Sequence, residues 1–505
     1  MKKDFGSSVG TGTGTGTYSL FGIDLKPFIA TLFLVTLVIA FFQIPHPYNP
    51  SLFLSPATKS SLSCTKPENL TTSTLRVSKT NSIPVLKEKI ATISASKAIA
   101  KDPNKREFKA YGNAAALFVQ MSAYRGGPYT FAIMGLASKP IHVYGTPWYK
   151  CEWVPNSNSS NTIRAKAYKM LPDWGYGRVY TTVVVNCTFS EIPNHDNNGG
   201  KLILYAYYSK SPKRYEKIVA LEEAPGSYNE SKFKPPFPYE YLYCGSSLYG
   251  NLSASRIREW IAYHVHFFGP RSHFVLHDAG GVTPAVRAAI DPWIRAGRVT
   301  LQDIRSQAEF DAYYYNQFVV VNDCLHRYRH AANWTFFFDV DEYIYLPDGR
   351  SLESVLAELL PYTQFTIEQN PMSSKLCVLD PKEDYANEWG FEKLVYRDSI
   401  TGIRRDRKYA IQAQNAYATG IHMSQNVIGN TTHKTEHLIR YYHYHNSINV
   451  LGEPCREFRP IPPNGNPTWF EKIPFVYDDN MKKLARTIKQ FEEKMIGSVR
   501  LPPQI

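Results

Sequence analysis

The sequence is poor in cysteine and in acid, and two common motifs are missing from it. Seven cysteines are scattered over 505 residues and no two stand in C-x-x-C spacing. That spacing excludes the usual zinc clusters and suits disulfides in an oxidising compartment. Cys151 and Cys187 are expected to pair within one domain. Cys244, Cys324, Cys377 and Cys455 leave their pairing open, and Cys64 is the odd one. No G-x-G-x-x-G follows the first strand of the β/α region, which argues against a nicotinamide cofactor. Asp and Glu number 44 against 57 Lys and Arg, a net charge of +13. Such a balance suits an acidic polymer, an anionic membrane surface or nucleotide phosphates. No nucleic-acid motif is visible, so nucleic acid is set aside as a partner.

Aromatic residues, by contrast, make up 14% of the chain, with 35 tyrosines. Residues 28–44, FIATLFLVTLVIAFFQI, form an uncharged apolar run at the short end of what spans a bilayer. Lys2, Lys3 and Lys26 precede it, which places residues 1–27 in the cytosol. The Pro-His-Pro that follows is a poor cleavage site, so an uncleaved transmembrane signal anchor is expected, with the rest of the chain lumenal. Sequons at Asn69, Asn158, Asn186, Asn229, Asn251, Asn333 and Asn430 agree with that. Asn333 is expected to stay unmodified because it enters an apolar strand. Residues 45–106, rich in Ser, Thr, Lys and Pro, read as a stem.

Two textures follow. Residues 107–225 are short alternating segments bounded by Gly, Pro, Asn or Ser, which suggests an all-β sandwich. Tyr124, Trp148, Trp153 and Trp174 are its candidates for a sugar-stacking platform, or else core. Over residues 239–505 strands alternate with helices, which argues for an α/β domain with a largely parallel sheet. Strands are expected over 241–246, 272–277, 298–303 and 334–345, with helices over 255–268, 308–330 and 481–495.

The chemistry gathers at residues 334–346, WTFFFDVDEYIYL. An apolar run that reads as a buried strand delivers Asp339, Asp341 and Glu342 at its end. Carboxylates crowded there repel one another and are costly to desolvate, unless a cation is held among them. Oxygen ligands suit Mg²⁺ or Mn²⁺; an acidic turn is the plainer reading. In parallel sheets ligands bind beyond the carboxyl ends of strands, where Asp278 would face the same crevice as Asp339 and Asp341. DYANEWGFEK at 384–393 reads as a lid or acceptor wall, and RRDRK at 404–408 as a basic run for diphosphate or acidic acceptor. His422, and His443 with His445 two residues on, come late in the chain, and the last two would share a face of a strand.

Taken in order, NDCLHRYR at 322–329, ANWTFFFDVDEYIYL, the WGF of Trp389 to Phe391, Lys408, His422 and the His443-Tyr444 pair resemble glycosyltransferase family 92. The whole chain, anchor and stem included, resembles the plant galactan synthases within that family. The resemblance implies a GT-A fold, a type II protein of the Golgi membrane, and inverting transfer from UDP-galactose to β-1,4-galactan side chains of pectin. It also implies that the β domain is a carbohydrate-binding module, and it allows a homodimer. On it, Asp278, Asn322, Asp323, Arg327, Asp339, Lys408 and His422 are expected around the donor. Asp339, Asp341 and His443, with His445 in reserve, are expected on Mn²⁺ or Mg²⁺. Glu392 is the first candidate for the general base, with Glu388 and Asp384 behind it. Two other readings stand beside this one: the same fold using UDP-arabinopyranose, and a galactan-binding Golgi protein without catalysis.

Overall fold

The structure is a computed structural model. It describes residues 102–504 apart from 113–115, 140–146, 158–159, 173–176, 210–212, 311–312, 380–384, 386–387, 401–405 and 453–454. The anchor, the stem, Cys64, Trp174 and Asp384 lie outside the described residues.

The first half is all antiparallel. Its strands are β1 (Lys109–Tyr111), β2 (Phe118–Arg125), β3 (Thr130–Ser138), β4 (Trp148–Pro155), β5 (Ile163–Met170), β6 (Tyr180–Thr188), β7 (Gly200–Tyr207) and β8 (Tyr215–Glu223). They form one continuous eight-stranded sheet in the order β1-β2-β3-β6-β5-β4-β7-β8, rather than two separately hydrogen-bonded sheets. The sheet curls over its own core of Phe118, Phe131, Trp153, Val183, Leu202 and Ile218. Gln120 Nε2 of β2 donates to the Ala220 carbonyl of β8 at 2.8 Å, and the Cys151–Cys187 disulfide ties β4 to β6.

The second half is α/β. Its first elements are β9 (Tyr239–Leu248), α1 (Ala254–Phe268), β10 (Ser272–Asp278), α2 (Pro284–Arg295), β11 (Val299–Asp303), α3 (Gln317–Arg327), β12 (Ala332–Phe337) and β13 (Glu342–Tyr345). Then come α4 (Leu352–Leu359), β14 (Gln364–Pro371), β15 (Leu376–Val378), α5 (Gly390–Lys393), β16 (Tyr396–Asp398) and β17 (Lys408–Ile411). After β18 (Ala416–Ala418), β19 (Asn426–Val427) and β20 (Thr431–Thr432), β21 (Arg440–His443) returns to the sheet, and α6 (Ala485–Ile496) closes the domain. β11, β10, β9 and β12 are parallel neighbours. Beyond β12 the order runs β17-β14-β21-β13 and the pairing becomes mixed. The carboxyl ends of β9 and β12 therefore open beside the strands that carry Lys408 and His443.

Local chemistry sets these elements. The α1 cap is Ser253, whose hydroxyl accepts from Arg256 N. Ile257, Trp260, Ile261, Val265 and Phe268 bury its apolar stripe, and Gly269 ends it with φ +72°. Helix α2 went unread in the sequence, although it starts with a Thr283 cap and Pro284. The expected helix over 308–330 is only α3, preceded by a 3-10 turn at Arg305–Glu309. Tyr314, Tyr315 and Asn316 stand at φ +49°, +54° and +57°, left-handed backbone that no right-handed helix can contain.

The curled sheet does not hang free. Its face away from the inner core carries Val119, Met121, Ala132, Met134, Leu136 and Val184, which pack with Val319 and Val320 of α3. Cys244–Cys324 ties the same helix to β9, and Cys377–Cys455 links β15 to the loop before residue 457.

Candidate active site

Strand β12 is buried from Trp334 onward, the chain stays apolar to Phe338, and Tyr243 OH fixes this end by donating to the Phe338 carbonyl at 2.9 Å. A turn then presents Asp339, Val340 and Asp341, closed by Glu342 N donating to Asp339 O at 3.2 Å. β13 starts at Glu342 directly opposite His443 of β21, so the expected single strand over 334–345 is two strands with the carboxylates in the break.

Asp339 is held on both oxygens. Ser246 Oγ donates to Oδ1 and Lys408 Nζ to Oδ2, each at 2.5 Å. Burial works to raise its pKa, but the Lys408 ammonium and these bonds outweigh it and hold the group down at about 2. Glu342 is buried, accepts from Asp339 N at 2.7 Å and lies 3.6 Å from Lys408 Nζ. Burial drives the pKa of Glu342 upward, and burial with the Asp339 charge does the same to Asp341. One lysine thus faces three carboxylates.

The imidazoles stand on the other side. His443 Nδ1 meets Gln369 Oε1 at 3.0 Å, so Nδ1 carries the proton and the Nε2 lone pair faces Asp341 Oδ1 at 3.8 Å. One donor atom each from Asp341, His443 and His445 lie within 4.8 Å of one another. An oxygen and two imidazole nitrogens suit Mn²⁺ better than Mg²⁺. The ligand group differs from the expected one: Asp339 is turned to Ser246 and Lys408, and His445 stands with the other two.

These residues line a cavity of about 540 Å³, along with Ser246 to Leu252, Tyr314, Asp406, Lys408 and His422. His422 Nδ1 is bonded to the Arg407 carbonyl at 3.0 Å. Asp406 was read in the sequence only as part of a basic run, yet it lines this cavity, and among the described residues no cation pairs with it. The signal was there, a lone acid among four cations. Ser246 carried no signal at all.

Several expected residues lie elsewhere. Asp278 caps its own loop, accepting from Gly280 N and Val282 N, and does not line the cavity. Asn322 is fully buried and staples α3 to Thr419 through both its amide atoms. Asp323 is buried and accepts from Tyr124 OH at 2.7 Å, so it serves the seam between the halves, while Asn322 braces the second half internally. Arg327 donates to Gln302 Oε1 and to the Pro103 carbonyl. Glu392 caps α5 through Trp389 N and pairs with Lys489 Nζ, while Glu388 pairs with Lys482 at 2.9 Å. Neither lines the cavity. The WGF segment is a packing motif: Gly390 N donates to buried Glu259, and a Cβ on Gly390 would collide with the Arg256 guanidinium. Of the platform candidates, Trp153 is core, Tyr124 is half-buried with its hydroxyl on Asp323, and Trp148 is half-buried, stacked on Tyr207 at 3.9 Å.

A charged cavity at the carboxyl ends of parallel strands is where such sheets bind their ligands, and the sequence relationships give the class of protein. The chain belongs to glycosyltransferase family 92, whose family model matches residues 239–498. It is 68% identical over 397 residues to galactan beta-1,4-galactosyltransferase GALS1 of Arabidopsis thaliana, covering 79% of this chain and 80% of that relative. It is 54% identical over 401 residues to galactan beta-1,4-galactosyltransferase GALS2 of the same organism, covering 78% of this chain and 76% of the relative.

Proposed function

We propose that this protein elongates β-1,4-galactan with galactose from UDP-galactose, with inversion, through a GT-A type domain. The observation that carries the reading is the Asp341–His443–His445 group facing the Asp339–Lys408 pair across one cavity, in a chain so close to proteins named for galactan galactosyltransfer. Asp341, His443 and His445 would hold a divalent ion, Mn²⁺ by their donor set. When bound, such an ion supplies positive charge against the departing diphosphate. Lys408 keeps Asp339 ionised and fixed by Ser246, and Asp339 in turn orients the turn that bears Asp341. Inversion requires one base at the acceptor hydroxyl, and Asp406 is the cavity carboxylate open to that role. The Trp148–Tyr207 pair, with Lys150 Nζ 5.3 Å from the Trp148 ring centroid, is the surface we assign to polymer binding by the β domain. Residues 28–44 anchor the protein in the Golgi membrane in this reading, with the described domains lumenal.

The test is direct. Purified protein with UDP-galactose, Mn²⁺ and a short β-1,4-galacto-oligosaccharide should give products longer by β-1,4-linked galactose. Preference for UDP-arabinopyranose, or no extension of any acceptor, would overturn the donor or the activity. Asp406→Asn should lower kcat by about 10²–10⁴-fold with the fold unchanged, the range general bases contribute. Asp341→Asn should abolish Mn²⁺ binding seen by electron paramagnetic resonance, and unaltered binding would remove Asp341 from the ligand set.

A further inference from the structure

At the amino ends of β9 and β12 the surface holds a second pocket, of about 390 Å³. Lys232, Lys234, Arg327, Arg329, His330 and Phe233 contribute to it, and none of its lining residues is acidic. Two of its cations are already balanced: Lys234 by Glu230 at 2.8 Å, and Arg125 by Glu223. Arg327 donates to neutral oxygens. Arg329 is different. It is only 7% exposed, its Nη2 donates to the Gln414 carbonyl, and its Nε is buried without a hydrogen bond. No carboxylate pairs with it among the described residues. A buried guanidinium without a counter-charge is strongly disfavoured unless a ligand brings the charge.

The neighbouring groups narrow the ligand. His330 Nε2 donates to the Gly126 carbonyl at 3.0 Å, so its Nδ1 is a lone-pair acceptor, and that atom is buried without a donor. His326 repeats the arrangement on the Tyr417 carbonyl. Neither imidazole adds a positive charge in this arrangement, so the charge of the pocket rests on its lysines and arginines. Phe233 packs on the His330 ring at 5.2 Å and gives an apolar face for a sugar ring.

We propose that this pocket is a second carbohydrate site that takes an acidic sugar, a uronate residue of an acidic glycan. The carboxylate meets Arg329 and Lys232, and the apolar face of the ring packs against Phe233. The site lies at the opposite end of the parallel strands from the catalytic cavity, roughly 30 Å away along the ten residues of β9. A polymer backbone gripped there would raise the concentration of its side-chain ends near the cavity without touching it. The assignment does not depend on the donor or linkage proposed above.

Calorimetric titration of the full-length protein with a short oligogalacturonate tests it, with inorganic phosphate and an uncharged galacto-oligosaccharide as parallel probes. Oligogalacturonate should bind, and more weakly as salt rises. Arg329→Gln should weaken it about tenfold or more, the loss of one charge-assisted bond. Lys232→Glu, an exposed change that spares folding, should weaken it in the same direction. Absence of binding to the unaltered protein, or equal binding to Lys232→Glu, would overturn the proposal. Displacement by equimolar phosphate would overturn the sugar assignment and leave a plain oxyanion pocket. Galacto-oligosaccharide binding that Arg329→Gln also weakens would overturn the preference for acid.

Discussion

His277 sits fully buried in β10, with Nδ1 donating to the Gly245 carbonyl at 2.8 Å and no bond at Nε2. Burial, offset only in part by the Asp323 charge, pulls its pKa down from 6.5 to about 4. The unfolded chain therefore binds this proton before the folded one does. Its stabilising contribution is complete above pH 6.5 and is lost as pH falls toward 4. Between pH 6.5 and 5 the native protein should lose about 2 kcal/mol through this residue alone, from 1.36 kcal/mol per unit. His277→Gln should lack that increment, so melting curves of the two proteins should converge as the pH is lowered. Parallel curves would show that the imidazole reaches solvent. The same scale separates what could be read of the site from what could not. Asp339 and Asp341 were legible because charge after an apolar run is locally anomalous. Glu392 and Glu388 misled because a cap or a surface ion pair leaves the same local trace as a reactive carboxylate. Only the return of β17 and β21 to the sheet decides which acids meet.

Among the elements, β4 gives the sharpest contrast. Trp148 and Trp153 lie five residues apart on it, one half-buried and stacked on Tyr207, the other 1% exposed against Phe131. Trp153→Ala should cost about 3–5 kcal/mol, the range for emptying a large aromatic from a core. Trp148→Ala should leave the melting temperature nearly unchanged and weaken retention on immobilised galactan. If both lower stability alike, the surface pair is structural. Strands β9, β10 and β11 and helix α1 were legible to within a few residues, because apolar runs and caps act locally. The helix expected over 308–330 was not, since three consecutive left-handed residues are imposed by tertiary contacts. Asn316 shows how: it is buried and its Nδ2 donates to Gln307 and to the Phe310 carbonyl. The mixed pairing after β12 was equally invisible, for strand direction depends on partners distant in sequence.

Across the whole molecule, the sequons divide by burial. Asn186 is 6% exposed in β6, with its amide on the Tyr417 carbonyl, and should carry no glycan when the protein passes through a secretory pathway. Asn229, Asn251, Asn333 and Asn430 are exposed and accessible to the transferase. Asn333 thus departs from expectation, because its side chain points outward from a strand whose neighbours are buried. Glycopeptide mass spectrometry distinguishes these sites, and a glycan on Asn186 would contradict the packing. The seam along α3 reaches further. Val119, Met121, Met134 and Leu136 are covered by Val319 and Val320, so a fragment of residues 107–225 alone would present them to water. Such a fragment should self-associate on size exclusion. A monodisperse, folded fragment would show the seam to be dispensable. For anyone exchanging parts between related enzymes, the boundary at residue 225 is therefore the wrong place to cut. The cassette to transfer is the curled sheet together with α3, and α3 is pinned by Cys244–Cys324 to β9, which lines the candidate cavity. Recombination is expected to succeed only where the junction keeps that helix with the sheet it covers, which makes the two halves one heritable unit.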